Sequence, residues 1–257
     1  MIKVDNVTKR FGGIAAIDGA SFTIAEGKIT GLIGPNGAGK TTMFNTIAGL
    51  HRADAGRVLL KGESIEGQPP HALFKRGVLR TFQLSHEFST LTVLENLMMV
   101  PPDQLGEKIL NTWLRRKQIR EQEEKIRTKA EEVIEFLCLE HLAYTPAGSL
   151  SGGQKKLVEL GRTMMVDARV VLLDEVGAGV NKTLLLEIEH AIRRLNSELG
   201  YTFCMIEHDI GLISRLCNPI VVMVNGRVLT EGTPEQVLND PRVIDSYLGE
   251  SGIEAGS

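Results

Sequence analysis

The 257-residue sequence predicts an α/β fold with a mainly parallel sheet and an inserted helical subdomain. Three observations carry that prediction. Short β-like runs alternate with helical patterns at both ends of the chain, and helical patterns dominate its middle. A third is the glycine-rich stretch Gly34–Thr42, which joins an apolar strand to a helix.

From the N-terminus, IKVDNV (2–7), ASFTI (20–24), KITGLIG (28–34) and GRVLLKG (56–62) carry the β-branched and apolar residues of strands, and Gly19 and Gly27 mark turns. KTTMFNTIAGL (40–50) places Met43, Ile47 and Leu50 at helical spacing. Stretch 115–137 sets Ile119, Ile126, Val133 and Leu137 near one helical face, with Glu121–Lys125 and Glu123–Arg127 as favourable i,i+4 pairs on its wet side. Acidic residues interleave with the basic ones there, which reads as a solvated face rather than an RNA or membrane surface. Alternation then resumes. VVLLDE (170–175), a helix over 182–199, YTFCMIE (201–207) and a helix over 209–217 lead into PIVVMVNGRVLTEG (219–232), a hairpin turning at Asn225-Gly226.

Composition narrows the function classes. Hydrophobic residues at 42% and charged residues at 24% suit a soluble globular protein. The 29 Lys+Arg against 32 Asp+Glu leave −3, which argues against a whole-chain footprint for nucleic acid. No apolar run approaches the ~18 residues that span a bilayer, and MIKVDNVTKRF does not resemble a signal peptide. Cys138, Cys204 and Cys217 are too scattered for a disulfide framework or zinc site and read as small buried hydrophobes. The expectation is a soluble, cytoplasmic chain.

Three motifs carry chemistry. Gly34-Pro35-Asn36-Gly37-Ala38-Gly39-Lys40-Thr41-Thr42 fits G-x-x-x-x-G-K-[ST] in the required place, after a strand and opening a helix. Its glycines let successive N–H groups face phosphate oxygens, Lys40 reaches the β- and γ-phosphates, and the Thr41 hydroxyl can ligate Mg²⁺. The sequence therefore predicts a nucleoside triphosphate site. VVLLDE ends an apolar strand in two acids. Asp174 would hold Mg²⁺, directly or through water, and Glu175 could polarise the attacking water as general base. The third motif is Leu150-Ser151-Gly152-Gly153-Gln154. Ser151 and Gln154 have capping-box spacing, and two glycines at a helix start also make a second phosphate-reading surface.

A phosphate loop, LSGGQ and an apolar strand with Asp-Glu, in this order, resemble the ATP-binding cassette (ABC) family of P-loop NTPases over essentially the whole chain. The resemblance implies a nucleotide-binding core from 1–83 and 166–257, with a small antiparallel β region near the N-terminus and a helical subdomain over 84–165 that carries the signature motif. It implies a head-to-tail dimer in which ATP lies between one chain's phosphate loop and the other's Ser151, Gly152, Gly153 and Gln154. Phe11 matches the aromatic that stacks on adenine. Gln83, in RTFQ, matches the glutamine that touches Mg²⁺ and the water, and His208, in MIEHD, matches the histidine at the γ-phosphate. Two positions depart from the family's commonest pattern: Val176 where it usually has proline, and Val180-Asn181 where it usually has Leu-Asp.

RTFQ with LTVLENLMMV, the long insert near 101–131 and EGTPEQVLNDPRVIDSYLG are similar to ATPase subunits of branched-chain (hydrophobic) amino acid importers, and urea and amide importers share much of this. That similarity implies ATP and Mg²⁺ as ligands, transmembrane permease subunits as partners, a second ABC ATPase subunit (the same or a different chain) and, indirectly, a solute-binding protein. It places the chain on the cytoplasmic face of the cell membrane. Leu84 and Phe88 would line a groove for a short permease helix. Three rival readings fit the sequence less well. A soluble ABC ATPase on DNA or ribosomes lacks its usual coiled coils, zinc modules or second cassette, and a GTPase lacks N-K-x-D. A catalytically dead module is disfavoured by intact Lys40, Asp174, Glu175 and His208.

Overall fold

Alternating burial near the N-terminus builds the first sheet. Ile2, Val4 and Val7 of β1 (Ile2–Phe11) and Ala20, Phe22 and Ile24 of β2 (Ile14–Ile24) point inward, while Ser21 and Thr23 face solvent. That is the signature of an antiparallel sheet packed on one face. β4 (Ala55–Leu60) and the short β5 (Glu63–Ser64) complete it in the order β2-β1-β4-β5, all antiparallel. The computed structural model describes residues 1–81, 88–107, 115–166 and 168–251.

The second sheet is read from continuous apolar runs. β3 (Ile29–Ile33), β7 (Val170–Asp174) and β8 (Thr202–Ile206) are buried at every residue, as parallel strands covered on both faces must be. With β6 (Val78–Arg80), β9 (Ile220–Val224) and β10 (Arg227–Gly232), the order is β10-β9-β3-β8-β7-β6. All neighbours are parallel except the edge pair β9–β10, a hairpin. Asn225 and Gly226 both have positive φ (48° and 78°), the geometry that Asn-Gly supplies in a two-residue turn. The carboxyl ends of β3, β7 and β8 lie side by side and lead into Gly34, Glu175 and Glu207 respectively. Ligands gather at this edge of an open parallel sheet.

The chain forms two compact units: 1–83 with 168–178 and 192–257, and 84–167 with 179–191. The first holds both sheets, and Met43, Phe44 and Ile47 of α1 (Lys40–Ile47) pack with Leu32, Val221 and Met223 in its core. α2 (Pro70–Lys75), α7 (Ile210–Leu216), α8 (Pro234–Leu238) and α9 (Pro241–Ser251) also belong to it. The second unit holds α3 (Val93–Met98), α4 (Arg116–Phe136), α5 (Gly152–Met164) and the first part of α6 (Lys182–Leu199). Gly161 of α5 lets the helices close up, since a Cβ there would sit 2.9 Å from Leu137 and 3.1 Å from Val133.

Some sequence expectations change. β1 and β2 extend to Phe11 and back to Ile14, closing a tight turn over Gly12. On α4 the close ion pairs are Arg127–Glu131 (3.0 Å) and Lys117–Glu121 (3.9 Å), one turn away from the expected partners. Cys204 and Cys217 are buried, and burial pushes the Cys217 thiol up to about 12, so neither is a nucleophile. Cys138 is exposed instead, because it takes the left-handed position (φ 57°) that stops α4. Among the described residues, no helix is long and apolar enough to cross a membrane.

Candidate active site

The phosphate loop is shaped by its glycines. Gly34 (φ 146°) and Gly39 (φ 94°) adopt backbone closed to other residues, and a Cβ on them would lie 2.0 Å from the Met223 carbonyl and 2.2 Å from the Ala16 carbonyl. The β9–β10 turn braces the loop from behind: Gly226 N–H donates to the Ala38 carbonyl at 3.1 Å, and Asp18 N–H to the Gly226 carbonyl at 2.9 Å. Asn36, Gly37 and Thr41 face solvent, Thr42 is partly exposed, and Pro35 and Ala38 are buried. Lys40 folds over the loop, its Nζ donating to the carbonyls of Gly34 (2.6 Å) and Pro35 (2.9 Å). Phe11 is half exposed and meets His51 edge to face at 5.3 Å, with the Lys9 ammonium 5.5 Å from its centroid. Asp54 holds Lys9 and accepts Arg10 N–H; these two hydrogen bonds keep its carboxyl below the usual range.

At the ends of β7 and β8 the acids gather. Asp174 is buried, and its Oδ2 accepts from Arg80 Nη2 at 2.7 Å. Arg80 also donates to the Asn45 side chain on α1. Glu175 has φ 49°, left-handed backbone that costs a non-glycine residue about 1–2 kcal/mol. Its N–H donates to the Ile206 carbonyl at 2.9 Å, and its Oε1 lies 3.1 Å from His208 Nε2. Glu207, buried, accepts Gly177 N–H at 2.8 Å, and burial is the main cause that raises its carboxyl above the usual range.

The signature motif lies in the other unit. Ser151 and Gln154 form the expected capping box: Ser151 N–H donates to Gln154 Oε1 at 2.9 Å, and Gln154 N–H to Ser151 Oγ at 3.4 Å. Its two glycines differ. Gly152 is exposed with room around it, whereas a Cβ on buried Gly153 would sit 2.8 Å from Leu184. Asn181 accepts Leu184 N–H at 3.0 Å, a helix-capping bond that Asp would make equally well. Gln83 and Leu84 lie outside the described residues. Phe88 is half exposed, its backbone bound to the buried Asn96 side chain in both directions (2.9 and 3.1 Å).

The donor set suits Mg²⁺ held largely by a substrate's phosphates. Thr41 and Asp174 offer hard oxygen ligands, while no group of three or more acidic, histidine or cysteine side chains forms a metal cage among the described residues. Sequence reasoning gave no role to Arg80 or Glu207. The available signal for Glu207 was the one used for Asp174-Glu175, an acid closing an apolar strand.

Comparison with known proteins decides the family. A family model described as ABC transporter matches residues 17–178, and a second, branched-chain amino acid ATP-binding cassette transporter, matches 227–252. The chain belongs to the ABC transporter family. A probable branched-chain amino acid transport ATP-binding protein LivG of Archaeoglobus fulgidus is 40% identical over 100% of this chain and 99% of its own. The high-affinity branched-chain amino acid transport ATP-binding protein BraF of Pseudomonas aeruginosa is 37% identical, with 98% of each chain covered. Among solved structures, the ADP conformation of an ATP-binding cassette of an ABC transporter has a TM-score of 0.83 at 38% identity, covering 97% and 98% of the two chains. A dimeric cassette bound to ADP and Pi has a TM-score of 0.73 at 26% identity, covering 91% and 99%. The chain is therefore an ABC ATP-binding subunit, homologous to LivG and BraF, in a family that hydrolyses ATP to power transport.

Proposed function

We propose that this ABC ATPase powers the uptake of branched-chain or other hydrophobic amino acids through a membrane importer. The observation that carries the reading is the match of residues 227–252 to the branched-chain cassette model, at the end of a chain similar to LivG and BraF along its whole length. Its partners are transmembrane permease subunits on the cytoplasmic face of the membrane, a second ABC subunit and, through the permease, a solute-binding protein.

Each site residue has one task in this reading. Backbone N–H groups of 34–42 and the Lys40 ammonium bind the ATP phosphates, and Phe11 stacks on adenine. Thr41, Asp174 and Gln83 would hold Mg²⁺, which would supply positive charge to offset that of the ATP phosphates. Glu175 takes the proton of the attacking water as general base. The 3.1 Å contact between Glu175 and His208 supports placing that base beside the side chain assigned to the γ-phosphate. Ser151, Gly152 and Gln154 of a second subunit face the same nucleotide in the head-to-tail dimer, with Gly153 shaping the helix start behind them.

The test is transport. The chain, purified with its permease partners in proteoliposomes loaded with ATP, is expected to drive uptake of labelled leucine, and Glu175→Gln to abolish it. A complex that transports urea or amides and ignores leucine overturns the solute assignment. Purification with ribosomes or DNA in place of permeases overturns the whole reading.

A further inference from the structure

Burying a carboxylate is unfavourable unless its oxygens are satisfied, so Glu207 stands out. It is 5% exposed and follows β8, whose five residues are all buried. Its Oε1 accepts Gly177 N–H at 2.8 Å. Gly177 lies two residues beyond Glu175. Three successive residues of one segment thus grip the loop after β7. The Ile206 carbonyl holds Glu175 N–H, the Glu207 carboxylate holds Gly177 N–H, and His208 Nε2 meets the Glu175 carboxylate. The gripped residue, Glu175, is in left-handed backbone, a conformation that persists only when its surroundings over-determine it.

We infer that Glu207 is a positioning residue for hydrolysis: its buried carboxylate pins the loop from Glu175 to Ala178, so that Glu175 keeps the backbone turn and the His208 contact that aim its carboxylate. Glu207 touches neither substrate nor metal in this role. The inference rests on the reading of Glu175 as general base. Ångström-scale misplacement of a catalytic group commonly costs up to ~10²-fold in rate, because it forfeits a pre-oriented geometry.

Three variants separate positioning from mere burial. Glu207→Ala removes the acceptor. Glu207→Asp keeps charge and polarity but, one methylene shorter, draws the carboxylate away from Gly177. Glu207→Gln keeps an oxygen at the same reach. Ala and Asp are expected to lower kcat for ATP about tenfold or more, to leave nucleotide affinity within about twofold, and to speed amide exchange across 175–178. Gln is expected to keep kcat within about threefold of the parent. Should Ala fail to fold, the contrast between Asp and Gln carries the test. The inference is overturned if Asp retains parental kcat, if Gln is as impaired as Asp, or if kcat and affinity fall together without faster exchange at 175–178. Glu175→Gln runs beside them. Normal turnover in that variant overturns the general-base reading, whereas its inactivity alongside normal Glu207 variants overturns only the role given to Glu207.

Discussion

Arg80 and Asp174 form an ion pair whose removal should be visible without any nucleotide. Both side chains are nearly closed to solvent, 11% and 3% exposed, with 2.7 Å between Nη2 and Oδ2. Arg80 spends another donor on Asn45, while its Nε is buried and has no hydrogen-bond partner among the described residues. Asn45 in turn lies 3.3 Å from His51, which abuts Phe11, so one polar chain runs from the β7 carboxylate to the exposed aromatic. Arg80→Met roughly preserves bulk but strands the Asp174 carboxylate in low dielectric. Breaking one side of a buried pair costs about 3–5 kcal/mol. At about 2–4 °C per kcal/mol for a chain of this size, the melting temperature should fall by roughly 6–20 °C. Differential scanning fluorimetry in metal-free, nucleotide-free buffer reads it, and high salt should not shrink the difference, because a buried pair is poorly screened. Adding Asp174→Asn to Arg80→Met should recover part of the loss, since the stranded charge is gone. A fall of under about 2 °C in Arg80→Met, or a double variant showing only the sum of two losses, would refute the argument from burial.

The other predictions concern separate parts of the molecule. Ser151→Arg should leave ATP affinity of the isolated chain within about twofold and abolish cooperative turnover; loss of binding to the monomer, read by calorimetry, would contradict action in trans. Phe88→Ala should melt within about 2 °C of the parent because the ring is half exposed, keep basal ATPase activity, and lose transport in the reconstituted complex. Glu207 makes stability depend on pH. Its folded carboxyl titrates above the unfolded value, chiefly through burial, so its contribution is fully present below the unfolded pKa and is lost as pH rises through the folded one. Glu207→Gln should therefore match the parent in strong acid and become progressively more stable than it towards neutrality; urea denaturation at several pH values measures the gap.

Much of the fold was legible because its signals are local. Phosphate loop, capping box and Asn-Gly turn each occupy a few consecutive residues whose backbone angles follow from side-chain type, and each appears where the sequence puts it. What was not legible depends on partners far along the chain. β6 has three residues, and only their parallel pairing with Val170, Val171 and Leu172 of β7 makes it a strand. Thr8, Lys9 and Arg10 of β1 and Gly19 inside β2 carry no strand signal of their own, because an antiparallel sheet with one wet face tolerates polar side chains and a glycine there. Arg80 meets Asp174 across 94 positions, and His208 meets Glu175 across 33, so no window of sequence could display either pair. The signature motif combines both kinds of information. Ser151 and Gln154 act locally, on one helix start, whereas Gly153 is constrained by Leu184 and Val180, which approach within 2.8–3.0 Å of where its Cβ would be. A substitution at Gly153 consequently disturbs the packing of α6 before it alters any surface presented to a nucleotide. Among the motif residues, exposed Ser151 is the cleaner probe of recognition, because changing its side chain leaves that close helix contact in place.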